Sequence, residues 1–436
     1  MVWRGDGRGR REAGAIGWLF VMLMNSPLAV FGQTATAPAT LELPNPAQPQ
    51  SPSPASAMKL VPSFRIAERY DSNVYFVPGK DLDDYVTTMS PALMLTHKNQ
   101  WAEARIGGGA IGEVYVKNPE LNYVGGNGTV DLNLDGAMNS LIRGLGLRVV
   151  DTVIYTPQPQ PFASLTGGNQ VSQALVPGLQ PGRVNTLWNS ARVDTSYSLS
   201  SFMGVSVTYT DQRIRFGEQL TASSGATQEN LFNTSFQNVT SGVVGKPTSS
   251  DTLLLAHQYQ KGTFSNSNSG DGGFTTQGAI ARWSRSLSSE LRATIEGGFT
   301  VINPHSDLQP VAAASLQWRG QYTTVEISYS RTVVASFLAV STPLLSQVVD
   351  VQLRRSITEP LSLWLTGHYA VNQSVPDRSL VRFESYSVSP SLEYKISQNL
   401  TAALSYTHLE FKEDISAQSF DFDREMVLLS VSAEWR

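Results

Sequence analysis

An all-β chain, closed into a transmembrane antiparallel up-and-down barrel of about 16–18 strands, is the fold class this sequence predicts. Three observations predict it. In the last segment, 426–436, Val427, Leu429, Val431, Ala433 and Trp435 alternate with a second set that, after Met426 and Leu428, is Ser430, Ser432, Glu434 and Arg436. The same two-faced alternation recurs in strand-length pieces from residue 59 onward, with short and long connections taking turns. No segment after the N-terminus approaches the ~20 apolar residues of a membrane helix, so a chain in a membrane must cross it with paired strands that leave no backbone group unsatisfied.

The N-terminal segment 1–32 reads as an export signal. Arg4, Arg8, Arg10 and Arg11 precede an apolar run from Ala15 to about Phe31. Gly32, Ala35 and Ala37 offer small residues for cleavage within 32–37. Asn25 and Pro27 shorten the apolar run below spanning length, which argues against a retained anchor. Residues 33–57, rich in Pro, Ala, Ser and Gln, cannot bury a core and are expected to form a disordered periplasmic linker. The barrel is expected to occupy 58–436.

Candidate strands follow at 59–69, 84–97, 100–117, 121–135, 139–156, 184–198, 202–215, 231–245 and 250–261. Nine more lie at 274–286, 290–302, 307–319, 321–333, 344–356, 360–372, 380–396, 399–411 and 421–436. Short connections such as Lys98-Asn99-Gln100, Arg319-Gly320-Gln321 and Thr358-Glu359 alternate with long ones at 70–83, 157–183, 216–230, 262–273, 334–343 and 412–420. Short inner turns and longer outer loops are the habit of outer-membrane barrels. An even strand number then puts both termini on the periplasmic side. A turn unit repeats: Ser198-Leu199-Ser200-Ser201, Ser286-Leu287-Ser288-Ser289, Ser356-Ile357-Thr358-Glu359 and Ile396-Ser397-Gln398-Asn399. Within strands, Ser90-Pro91-Ala92-Leu93 echoes Ser389-Pro390-Ser391-Leu392, and each proline is expected to mark a bulge or a break in the ladder.

The face assignments come from a side-chain period of two. In 291–300, Leu291, Ala293, Ile295 and Phe299 oppose Arg292, Thr294 and Glu296. In 323–330, Val325, Ile327 and Tyr329 oppose Thr324, Glu326 and Ser328. In 348–354, Val349, Val351 and Leu353 oppose Asp350, Gln352 and Arg354. In 361–371, Leu361, Leu363, Leu365 and Tyr369 oppose Ser362, Thr366 and His368, with Trp364 an exception on the polar side. In the last strand Val427, Leu429, Val431, Ala433 and Trp435 oppose Ser430, Ser432 and Glu434. A charge facing lipid at the midplane costs ~2–4 kcal/mol. Arg292, Glu296, Glu326, Asp350, Arg354, His368 and Glu434 are therefore the candidate lumen residues. Val427 to Trp435 form the candidate lipid face and assembly signal.

At this point the chain resembles a known family, the outer-membrane β-barrel porins of the beta-barrel porin-2 type, some of which accompany exopolysaccharide systems. The resemblance is carried by 69–76 (RYDSNVYF), 84–93 (DYVTTMSPAL), the recurring turns and the Ser-Pro-x-Leu echo. One departure is Arg436, which follows the terminal aromatic. The resemblance implies a porin-like channel for small polar solutes or, alternatively, an accessory barrel for exopolysaccharide export or surface display. It implies outer-membrane lipid, lipopolysaccharide and the barrel assembly machinery as partners.

Composition narrows the remaining classes. A net charge of -4 argues against nucleic-acid binding. The absence of cysteine excludes disulfides, thiolate metal sites and a cysteine nucleophile. The five histidines, His97, His257, His305, His368 and His408, sit in no local catalytic motif. A barrel hydrolase ranks last, and no catalytic, cofactor or metal residue is assigned. Asp71-Ser72-Asn73 and Asp81 to Asp84 carry acidic oxygens but lack the spacing of a calcium loop. Ser265 to Gly273 lacks the Lys-Ser/Thr ending of a phosphate loop. The segment 157–183 is a candidate constriction; from Thr152 to Gly182 there is no charged residue, and that neutrality would favour uncharged solutes.

Overall fold

The structure, a computed structural model, describes residues 57–75, 83–157, 184–219, 233–266, 270–304, 307–335, 342–377, 380–415 and 418–435. The expected signal segment, nearly all of the linker, most of 157–183 and His305 lie outside the described residues.

Eighteen strands form one sheet. They are β1 (Ala57–Asp71), β2 (Asp84–Lys98), β3 (Glu103–Tyr115), β4 (Tyr123–Asn133), β5 (Leu145–Thr156) and β6 (Val184–Ser198). Then come β7 (Met203–Gln219), β8 (Asn233–Gly245), β9 (Asp251–Asn266), β10 (Gly270–Ser286), β11 (Leu291–Asn303) and β12 (Asp307–Arg319). The last six are β13 (Thr323–Ala335), β14 (Pro343–Ser356), β15 (Leu361–Ser374), β16 (Val381–Lys395), β17 (Leu400–Ile415) and β18 (Gln418–Glu434). Each is antiparallel to its neighbours in sequence, and β1 pairs with β18 from Ser63↔Glu434 to Asp71↔Met426. That last ladder closes the sheet into a barrel and removes its edges. Among the described residues one α-helix, α1 (Asp135–Leu141), sits between β4 and β5 where the alternation suggested only a turn. Gly136 lets it lie against the 99–102 turn: a Cβ there would stand 2.2 Å from the Gln100 carbonyl oxygen.

The four repeated turns share one geometry. The backbone N–H of Leu199, Leu287, Ile357 and Ile396 donates to the carbonyl four residues on, at 2.8–3.0 Å. A hydroxyl from Ser200, Ser288, Thr358 or Ser397 accepts from the following backbone. Pro91 and Pro390 each interrupt one ladder, β2–β3 and β16–β17, and the register runs on unchanged across both. They are breaks in hydrogen bonding rather than bulges.

The wall is apolar outside and polar inside between two aromatic belts. At the short-turn end Trp101, Tyr197, Trp283, Trp318, Tyr394 and Trp435 stand on the exposed face. At the other end stand Tyr85, Tyr209, Tyr259, Tyr369, Tyr386 and Tyr406. Trp283 and Trp318 donate their indole N–H to Asp251 and Glu290 at the turns, at 2.9 and 3.2 Å. An indole with one wet end and one apolar end suits a membrane interface.

Past the tyrosine belt the pattern reverses. On β17 the outward series Leu404, Tyr406 continues as His408, Glu410, Lys412, while the inward series Ser405, Thr407 continues as Leu409, Phe411. On β16 the inward serines 391, 389, 387 and 385 give way to Phe383 and Val381. On β7 Gln212 gives way inward to Ile214 and Phe216. The strands therefore run beyond the belt with a charged outside and an apolar inside. For this reason the expected long loops 262–273 and 412–420 are mostly strand, as β9 reaches Asn266 and β10 begins at Gly270, and β17 reaches Ile415 and β18 begins at Gln418.

Candidate functional site: the barrel interior

Side chains on the inner face come from alternate residues of every strand, so the site is the wall itself. Its charges stand largely in opposed pairs. Arg282 donates to Glu296 at 2.6 Å. Arg148 makes a two-pronged contact with Asp131 at 2.9 and 2.8 Å, and Arg192 does so with Asp194. His368 Nδ1 lies 2.5 Å from Asp350 Oδ1, and Ser328 donates to the same carboxylate at 3.4 Å. Gln317 donates to Glu326 at 3.1 Å. Arg354 stacks over Trp364, 4.2 Å from the ring centroid. The indole that broke the alternation of its strand thus covers a guanidinium in the register position opposite it.

Of the expected lumen residues, Asp350 and His368 are brought together and are buried, Glu296 and Glu326 gain partners on adjacent strands, and Arg292 lies on the same face of β11 as Glu296. Glu434 sits at the short-turn end of β18, its backbone N–H donating to Asn399. Val427, Leu429 and Trp435 are on the exposed face, Leu429 at 56% exposure, with Val431 and Ala433 half-buried on the same face. His257 lies mid-strand on the exposed face of β9, and His408 packs against Tyr386 with ring centroids 5.7 Å apart.

The residues that sequence reasoning missed form a buried ionic chain at the outer end of β1. Arg69 donates to both carboxylate oxygens of Glu113, at 3.2 and 3.1 Å, and to the Tyr115 hydroxyl at 3.3 Å. On its other side it stands 3.5 Å from Asp71, which in turn receives Arg424 from β18 through Nε at 2.8 Å and through a second guanidinium nitrogen. Asp71 is fully buried, and its oxygens are engaged by the guanidinium groups of Arg424 and Arg69. Asp84 accepts the backbone N–H of Tyr85, Val116, Lys117 and Asn118, which ties the 116–121 turn to β2. The available signal was that Arg69 and Asp71 lie two residues apart, hence on one face. Assigning Asp71 to an outer loop hid it.

The interior also carries an apolar closure at the long-loop end. One buried cluster joins Val334, Leu344 and Val348 of the β13–β14 hairpin to Phe383, Phe411, Phe422 and, from the far wall, Ile214. A second joins Val333, Ala335 and Leu345 of the same hairpin to Phe236, Phe264, Phe274, Ile302 and Val375. Strands β7 and β16 lie opposite one another in the ring, so the first cluster spans the lumen. A uniformly wide aqueous interior, expected from the strand number, is therefore not what this end presents.

Residues 308–435, which run from β12 to β18, match the family described as Putative beta-barrel porin 2. The matched stretch includes the Ser389-Pro390-Ser391-Leu392 segment but not 69–76 or 84–93. Solved structures to which the chain is similar include OccK3 (OpdO) of Pseudomonas aeruginosa, at 11% identity and a TM-score of 0.41, over 86% of this chain and 96% of that one. OpdQ of Pseudomonas aeruginosa aligns at 8% identity and a TM-score of 0.43, over 87% of this chain and 98% of that one. The siderophore receptor PirA of Pseudomonas aeruginosa aligns at 9% identity and a TM-score of 0.41, over 87% and 80%. These identities and scores carry no information on cargo. No curated protein sequence matches the chain. The match covers the last seven of the eighteen strands that close the ring, so the chain is a porin-like outer-membrane β-barrel whose C-terminal strands are similar to the family described as Putative beta-barrel porin 2.

Proposed function

We propose that the barrel is a diffusion channel for small, uncharged polar solutes, with both termini on the periplasmic side. The observation that carries this reading is the pairing of charges along the inner wall. Arg148–Asp131, Arg192–Asp194 and Arg282–Glu296 each cancel locally, and the inward face of β16 carries uncharged serines. A wall of cancelled charges and hydroxyls gives no strong field to select ions, whereas rings of one sign would. The outward apolar band between the two belts fits lipid, and the charged outward residues past the tyrosines, such as Arg382, Glu384 and Lys412, fit a lipopolysaccharide headgroup layer. Conductance steps in planar bilayers, with a reversal potential near zero under a salt gradient, are the expected result. Vesicles containing the barrel should also swell in isotonic neutral sugar. A barrel that stays silent even after its outer closure is removed would sink the channel reading.

A further inference from the structure

Among the described residues, the β6–β7 ladder is the one that changes register. Val184 pairs with Gln219 and Thr186 with Phe216, so β7 carries an extra residue opposite Asn185. A bulge of this kind re-aims side chains and opens the surface beside it. At this point of the outer surface lies a cavity of about 350 Å³, lined by Tyr155, Asn185, Leu187, Arg215, Phe216 and Gly217. Gly217 helps to keep it open, since a Cβ there would stand 3.4 Å from the Cβ of Asn185. Tyr155, Leu187 and Arg215 are register partners across β5, β6 and β7, and all three are exposed. An aromatic ring, an aliphatic side chain and a guanidinium thus stand in one row.

Charge past the tyrosine belt is divided between two sectors of the ring. Beyond Tyr209 and Tyr259 the outward face of β7 and β9 carries Arg213, Arg215 and Lys261. Asp211 holds Arg213 at 2.6 Å, whereas Arg215 has no ion-pair partner among the described residues. On β16 and β17 Arg382 and Lys412 are held by Glu384 and Glu410 at 3.0 and 2.7 Å. Beside them Asp421, Asp423 and Glu425 stand exposed on β18. An anion at headgroup depth is therefore drawn to the β5–β9 sector and repelled from the other.

We propose that the bulge pocket is a binding site for a phosphorylated glycolipid of the outer leaflet, its phosphate on Arg215 and its apolar part against Leu187 and Tyr155. The planar fork of a guanidinium matches phosphate through two parallel hydrogen bonds. Arg215 alone, at a solvated surface, would hold a free phosphate only weakly. A glycolipid adds apolar area buried against the aliphatic and aromatic neighbours, which a free anion lacks. The inference rests on the outer-membrane placement of the barrel and is independent of what passes through it.

The test titrates the full barrel, purified in detergent and freed of lipid, with bisphosphorylated lipid A and reads bound lipid by native mass spectrometry. Arg215→Gln is expected to weaken binding by roughly 10-fold, the effect of losing a charged hydrogen-bonding partner. Arg215→Lys keeps the charge without the fork and should fall between the two. Gly217→Val narrows the cavity and should weaken binding with Arg215 in place. Lys412→Gln, an exposed cation of the acidic sector, should bind like the parent chain. Lipid A stripped of both phosphates should bind at least roughly 10-fold more weakly. Inorganic phosphate in large excess should not displace the lipid. Unchanged binding by Arg215→Gln, or an equal loss in Lys412→Gln, overturns the site. Displacement by inorganic phosphate overturns the lipid as occupant in favour of a free anion. Heat-dependent gel mobility reports folding, and if Gly217→Val fails to fold, the two Arg215 variants decide. Conductance of Arg215→Gln is expected to match the parent barrel, so a silent channel and a failed lipid site are told apart.

Discussion

Asp71 shows what a single residue contributes to this wall. It has no exposed surface and sits between Arg69 and Arg424, so it joins the first strand to the last where the barrel closes. Removing one partner of a buried ion pair leaves an uncompensated charge, a loss of about 3–5 kcal/mol. Arg424→Ala should therefore lower the urea midpoint of the folded barrel in detergent by that order. Asp71→Asn combined with Arg424→Gln should cost less than the two single changes added together, because they share one interaction. An additive double variant would mean that the pair does not act as a unit. Gly262 matters through space: a Cβ there would stand 2.4 Å from the Phe274 ring, so Gly262→Ala should push that ring out of the second apolar cluster. The expected readout is faster thiol labelling of Leu345→Cys in the alanine background.

At the scale of elements, β18 tests the two faces most directly. Leu429→Arg puts a charge on the exposed apolar face and should destabilise the inserted barrel by ~2–4 kcal/mol, whereas Ser430→Arg on the inner face should be tolerated. Equal effects of the two would contradict the assignment of faces. The repeated hydroxyl-capped turns are far apart and share no partners, so Ser200→Ala, Ser288→Ala and Ser397→Ala should each cost about 0.5–1.5 kcal/mol and add. Much of the element pattern was legible in sequence, because alternation with a lipid face is strict: all eighteen expected strands are present, and most ends shift by only a few residues. The strand tops were not legible. Past Tyr406 or Tyr386 the outward residues turn charged and the inward ones apolar, so a template seeking apolar-out alternation stops there. α1 was missed for a related reason, since its seven residues are too few to show a helical period.

For the whole molecule, eighteen strands make a ring wide enough for an aqueous lumen, yet at the long-loop end apolar side chains from distant strands meet inside it. The expected constriction, segment 157–183, lies almost wholly outside the described residues, and among the described residues it is side chains of β13 and β14 that join the apolar clusters at this end. Wall chemistry predicts a second global property. With cancelling pairs along the interior, replacing Arg282 by Ala should leave Glu296 unbalanced and shift selectivity toward cations, read as a displaced reversal potential. An unchanged potential would place that pair away from the conducting path.

What the sequence determined by itself was everything that depends on neighbours along the chain. The period of two set strand faces, turn residues set the hairpins, and the apolar series ending in Trp435 marked the membrane face. The tertiary structure alone decided what depends on strands meeting across the ring. Asp71 finds Arg424 only because β1 closes on β18, and Phe264 shares a buried cluster with Val333 only because β9 and β13, four strands apart in the ring, approach each other. Local alternation says nothing about which strands of the ring come together inside it, so packing between distant strands makes the choice.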